Sequence, residues 1–188
     1  MAASFDFPFH HGRLALSFVG TVGDRGSTPI ERLTDPGALA AWLVQAGLTA
    51  DRIPLSAAAL GRAVRLREAI ARAVAAVRAD VPPAAADIAL INAAARRGSA
   101  VVLDAATLQL VEETRDPLGA ALGTVARDAI ALLASPDERG RLRSCAYAEC
   151  GSLFLTPTGR RERRWCSMAR CGNRAKVAAF RRRAGAVS

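Results

Sequence analysis

The chain has 188 residues, half of them apolar (51%), and a formal net charge of +9. That length and apolar content suffice for one buried core with a small appendage and exclude a disordered tail. Its longest apolar stretches, residues 14–20 and 129–134, fall far short of the roughly 20 residues a membrane-spanning helix needs, and no basic-then-apolar leader opens the chain, so the expectation is a soluble, cytoplasmic protein with no membrane partner.

The first dozen residues, with Pro8 and the adjacent His10 and His11, read as a loose arm. Residues 13–20 read as a strand. Asp35 followed by Pro36 is a helix start, a carboxylate cap with proline at the first helical position, and that helix ends before Gly47. Ser56 caps a longer helix in which Leu60, Val64, Ile70, Val74 and Val77 recur at roughly helical spacing until Pro82 and Pro83 stop it. A third helix is predicted over residues 84–97. Residues 100–104 and 108–113 are short and β-compatible, which predicts a hairpin. Asp116 and Pro117 repeat the cap-and-proline signal and open a helix to about Ala134, where Ser135 and Pro136 break it. Helices and short strands that do not alternate as β-α-β units predict an α+β fold, a mainly helical domain over residues 1–138.

Charge divides sharply beyond that point. Residues 139–188 carry 13 of the 26 basic groups and only 2 of the 17 acidic ones, a local net charge of +11 against −2 for the rest. A compositional preference for arginine explains why 25 of the 26 basic residues are arginine. It does not explain why the acids are nearly absent from the last quarter, so the segregation points to a polyanionic partner.

The same segment holds all four cysteines, Cys145, Cys150, Cys166 and Cys171, as two Cys-x4-Cys pairs fifteen residues apart. Without a secretory signal these thiols are expected to stay reduced, which favours a metal over disulfides or four inert thiols. Four thiolates satisfy tetrahedral zinc with no open position, so the expected cofactor is one structural Zn2+ ion, preferred over an iron–sulfur cluster. Residues 142–145 and 152–155 flank a knuckle, residues 163–166 are expected to return as a second strand, and the pattern turns helical from Met168. Val177 and Phe180 are expected to pack on Phe154 and Trp165. Knuckle, hairpin and a helix whose first turn carries the last ligand describe a treble-clef finger, over residues 139–188.

The sequences CAYAECGSLFL (residues 145–155) and RRWCSMARCGNR (residues 163–174) resemble the CGNR-type zinc finger, named for the tetrapeptide at Cys171, Gly172, Asn173 and Arg174. The resemblance covers roughly the last 48 residues. The preceding part is similar to the ABATE domain through LALSFVGT (residues 14–21) and an Ala-Trp-Leu helix at residues 41–43. At Ser17, Gly20 and Thr156, where family members often carry Asp, Asn and Asp, the chain departs from that pattern. The resemblance implies a stress-related transcription regulator, with a sensor or dimerisation domain joined to a DNA-binding finger. A small-molecule effector and a homodimer are among the partners it allows.

Candidate nucleic-acid contacts are Arg160, Arg161, Arg163 and Arg164 in the finger loop, and Arg170, Arg174, Lys176, Arg181, Arg182 and Arg183 on the terminal helix. Arg174 and Arg181 share a helical face, as do Lys176 and Arg183, and phosphate contact is their natural role. Asn173 could read an adenine edge, but a backbone-bonding role is the plainer expectation. RNA is the alternative partner, less favoured because most of the few aromatics, Tyr147, Phe154, Trp165 and Phe180, are expected in the core. Two adjacent histidines without a metal or nucleophile signature, and Glu112 and Glu113 on opposite faces of a strand, predict no enzyme. Trp42, Arg13, Arg25 and Arg115 are candidate effector-pocket residues; for Trp42 a core position, and for the arginines pairing with acids, is the competing expectation.

Overall fold

The computed structural model describes residues 7–159 and 163–185. Three helices start as their local sequence dictates. Asp35 accepts from the Ala38 amide to open α2 (Pro36–Gln45), Ser56 from Ala59 to open α3 (Ala57–Arg78), and Asp116 from Gly119 to open α5 (Pro117–Ala134). The predicted third helix is α4 (Ala85–Ala95). On α3 the buried residues Ala63, Leu66, Ile70, Ala73 and Val74 repeat every three or four positions, the mark of one face turned to a core. That core is completed by Leu118, Leu122, Val125, Ala129 and Leu132 of α5 and by Trp42 of α2. Among the described residues α5 is the one helix long and apolar enough to cross a membrane by length and composition, and half of it is buried against its neighbours here.

Residues 13–20 correct the predicted strand: Leu14–Val19 form a short helix, α1, with all but Leu14 buried. A continuous apolar run carries no periodicity to separate buried strand from buried helix. What decides it lies far away in sequence, because Asp128 of α5 accepts from the Ala15 amide at 2.8 Å and pairs with Arg13 at 3.1 Å. The loose arm is corrected too, since Phe7 and His11 are buried. Ser135 and Pro136 end α5 but also cap and begin α6 (Pro136–Gly140).

Strands occur only as antiparallel pairs among the described residues. Val22–Gly23 (β1) pairs with Ile30–Glu31 (β2), a hairpin the sequence reading missed. Ala100–Leu103 (β3) pairs with Leu110–Glu113 (β4) as expected. Leu142–Ser144 (β5) pairs with Leu153–Leu155 (β6) and frames the first cysteine pair. A π-helical turn, Met168–Gly172, then leads into α7 (Asn173–Gly185). Residues 163–166 do not form the expected second strand; they contribute one ladder-like bond, from the Ala146 amide to the Arg164 carbonyl.

The basic segment packs directly on the helical part. Leu142 and Leu155 belong to the main core. The amides of Arg25 and Gly26 donate to the carbonyls of Cys150 and Glu149 at 3.1 and 3.2 Å, and the Leu155 amide donates to the His11 carbonyl at 2.8 Å. This approach requires glycine, because a Cβ on Gly26 would lie 2.0 Å from the Ala148 carbonyl oxygen and one on Gly151, at φ +59°, 2.6 Å from the Gly26 nitrogen.

Candidate metal centre and basic helix

Two turns bring the four sulfurs together. The β5–β6 knuckle presents Cys145 and Cys150, its geometry held by the Cys145 amide donating to Ser152 and the Cys150 amide to Tyr147. The bend before the π-helical turn presents Cys166 and the turn itself presents Cys171; the Ser167 hydroxyl accepts from the Arg170 amide, and its carbonyl accepts from the amides of Cys171 and Gly172. All four side chains are buried and their sulfurs lie within 4.8 Å of one another. Cys166 Sγ sits 3.7 Å from Cys150 Sγ and 3.6 Å from Cys171 Sγ. Tetrahedral zinc with Zn–S bonds of about 2.3 Å has S–S edges of about 3.8 Å, so the cluster has the dimensions of a zinc site with four thiolate ligands.

Charge supports the same assignment. Hydrogen bonding from Cys166, helped by the Ser152 hydroxyl 3.2 Å away, pulls the Cys150 thiol down to about 4 against the effect of burial. Burial and hydrogen bonding to Cys150 push Cys171 up to about 12, and hydrogen bonding to Cys150 followed by burial pushes Cys166 up. Four thiolates at this spacing therefore need a cation between them, and binding releases protons. With no open ligand position the site holds structure and offers no hydrolytic chemistry.

The predicted nucleic-acid residues divide into two groups. Arg163 is tied up internally: its guanidinium donates to the carbonyls of His10 at 2.9 Å, Cys166 at 3.2 Å and Leu155 at 3.3 Å, and lies 4.6 Å from the centre of the Phe154 ring. Arg174 is also engaged, with Asp24 at 3.1 Å, Glu149 at 2.9 Å and the Tyr147 ring at 4.5 Å. Burial opposes its charge, but the Asp24 carboxylate outweighs that and raises its pKa. Arg164, Arg170, Lys176, Arg181 and Arg183 are exposed. Arg160 and Arg161 lie outside the described residues, and Arg182 belongs to α7. Asn173 donates its side-chain amide to the Ala169 carbonyl at 2.9 Å, the backbone-bonding role.

Val177 and Phe180 correct the packing expectation. They are 49% and 68% exposed, and Phe154 is instead enclosed by the cysteines with Tyr147 and Trp165 at its margin.

A family model described as "Putative stress-induced transcription regulator", the ABATE domain, matches residues 12–136, and a CGNR zinc-finger model matches residues 141–184. The chain belongs to the ABATE family. No curated protein matches it. The sulfur cluster falls inside the zinc-finger match and is its zinc-binding site.

Within the ABATE region the effector-pocket candidates do not converge. Trp42 is fully buried beside Phe18, with ring centroids 4.8 Å apart. Arg13 pairs with Asp128 and Glu138, Arg25 with Glu68, and Arg115 is exposed. The departure at Gly20 has a local counterpart, since a Cβ there would lie 2.3 Å from His11 Cε1 and the glycine makes room for that imidazole. Burial, then the neighbouring His10, drives His11 down to about 3, so it stays neutral beside the finger. Nothing in the sequence signalled that these histidines would sit there, because their partners arrive from residues 141–163.

Proposed function

We propose that this ABATE-family chain is a transcription regulator that binds DNA through the finger, under the control of a small molecule held by the helical region, and that it acts as a binder and not a catalyst. The carrying observation is the exposure of Arg164, Arg170, Lys176, Arg181 and Arg183 on a zinc-ordered surface, while Arg163 and Arg174 are occupied in holding that surface in place. A groove beside α7, lined by Tyr147, Asn173 and Val177 with Arg170 and Arg181 at its sides, offers a place for backbone phosphates. Phosphate contacts of this kind set affinity and position without fixing a sequence.

Five neutralised phosphates predict a log–log slope of affinity against salt near about −4.5. Anisotropy titrations with duplex DNA on the full-length, zinc-loaded protein test this, and a slope near zero rejects it. Selection from random DNA with and without chelator then reports sequence preference and metal dependence. Phe180, 68% exposed on the same helix, favours a second reading in which its ring stacks on the bases of single-stranded RNA. Tighter binding to single-stranded RNA than to duplex DNA, lost in Phe180→Ala, would establish that reading instead.

A further inference from the structure

We propose that a groove between α3, α4 and α5 binds a small organic carboxylate carrying a short apolar tail. The inference deepens the effector half of the proposed function and rests on that reading only for its regulatory meaning; binding itself stands apart from DNA. The groove holds about 220 Å3. This is below the roughly 300–1,000 Å3 of sites for drug-sized molecules, so the occupant is small.

Its floor is apolar, formed by the buried Leu66 and Leu122 with Leu90 at the side. Three guanidiniums, from Arg62, Arg65 and Arg97, line the same groove. One carboxylate answers them. Asp116 places Oδ1 on the Gly119 amide at 2.9 Å and Oδ2 on Arg97 at 3.0 Å and Arg62 at 3.5 Å. Arg65 is exposed and makes no ion pair among the described residues. The groove thus has a local excess of two positive charges above an apolar floor, inside the part of the chain whose net charge is −2. Guanidinium forks match a carboxylate head, and Leu66, Leu90 and Leu122 match the tail. A bare phosphate would leave the floor wet, and a neutral apolar molecule would leave the arginines without a counter-charge.

Octanoate serves as the probe, against acetate, which has the head alone, and 1-octanol, which has the tail alone. Calorimetric titration of the full-length, zinc-loaded protein should show one saturable octanoate site, at least about tenfold tighter than either control: a few buried methylenes supply that factor over acetate, and the contacts between carboxylate and guanidinium supply it over 1-octanol. Arg65→Gln should weaken octanoate about fivefold, and Leu90→Glu, which places a carboxylate against the tail, should abolish binding; both positions are solvent-exposed, and unchanged zinc content and melting temperature verify the fold. Octanoate binding no tighter than both controls, or binding undiminished in both variants, overturns the proposal. Duplex-DNA titrations on the same preparations separate the two readings: octanoate bound with a salt slope near zero removes the DNA assignment alone, and the converse result removes the groove alone.

Discussion

Arg174 lies in the CGNR tetrapeptide and in the basic helix, and its position favours the first membership. Its guanidinium ties α7 to Asp24 of the helical part and to Glu149 of the knuckle, so its charge is matched before any polyanion arrives. Arg174→Ala should therefore lower stability by about 1–2 kcal/mol while leaving the salt slope of DNA binding unchanged. Chemical denaturation and the anisotropy titration check the two halves. Arg67 is matched in the same way within the helical part. It is nearly inaccessible and is satisfied by Glu31 at 2.6 and 2.7 Å, Glu68 at 2.8 Å and Thr21 at 3.1 Å. Burial raises the Glu31 carboxyl, but the hydrogen bonds from Arg67 and the Leu33 amide outweigh it and leave the pKa below 4.5. A lowered carboxyl pKa contributes stability above the unfolded value that is lost as pH falls through the folded one. Glu31→Gln should thus be less stable than the parent by about 1–2 kcal/mol at neutral pH, a value already discounted for the partly exposed carboxylate, and the gap should close as pH drops below about 4.5. Urea denaturation at a series of pH values reads that convergence.

At the scale of elements, legibility followed the range of the deciding contact. The starts of α2, α3 and α5 were readable because each cap sits in the residues just before its helix. The fate of residues 13–20 was not, because the carboxylate that caps α1 belongs to α5. The zinc ligands were fully legible, since ligand type and spacing are local facts, whereas the engagement of Arg163 depends on carbonyls from two distant segments and one three residues away. The helical pattern of α7 is legible in its sequence, whereas its apolar residues Val177 and Phe180 do not reach a core. Phe180→Ala should accordingly shift stability by less than about 0.5 kcal/mol, whereas Leu132→Ala, at a fully buried site on α5, should cost about 2–5 kcal/mol. Thermal melts of the two variants side by side measure the contrast.

For the molecule as a whole, the charge boundary near residue 139 is not a structural seam. The acid-rich and base-rich parts share one apolar core through Leu142 and Leu155, and their backbones are joined at the knuckle. Cys150, one of the four zinc ligands, is also the residue whose carbonyl receives the Arg25 amide. Removing the metal therefore withdraws an acceptor from a loop that holds no ligand. On chelation, the amide protons of Arg25 and Gly26 should exchange with solvent deuterium in step with that of Cys145, while those in the middle of α5 stay protected. Unchanged exchange at Arg25 and Gly26 would show that the loop holds its shape without the ion. Through these two backbone hydrogen bonds metal status is reported some hundred and twenty residues upstream in sequence, and a redox or metal-starvation signal at the thiols would reach the helical part with no linker to dampen it.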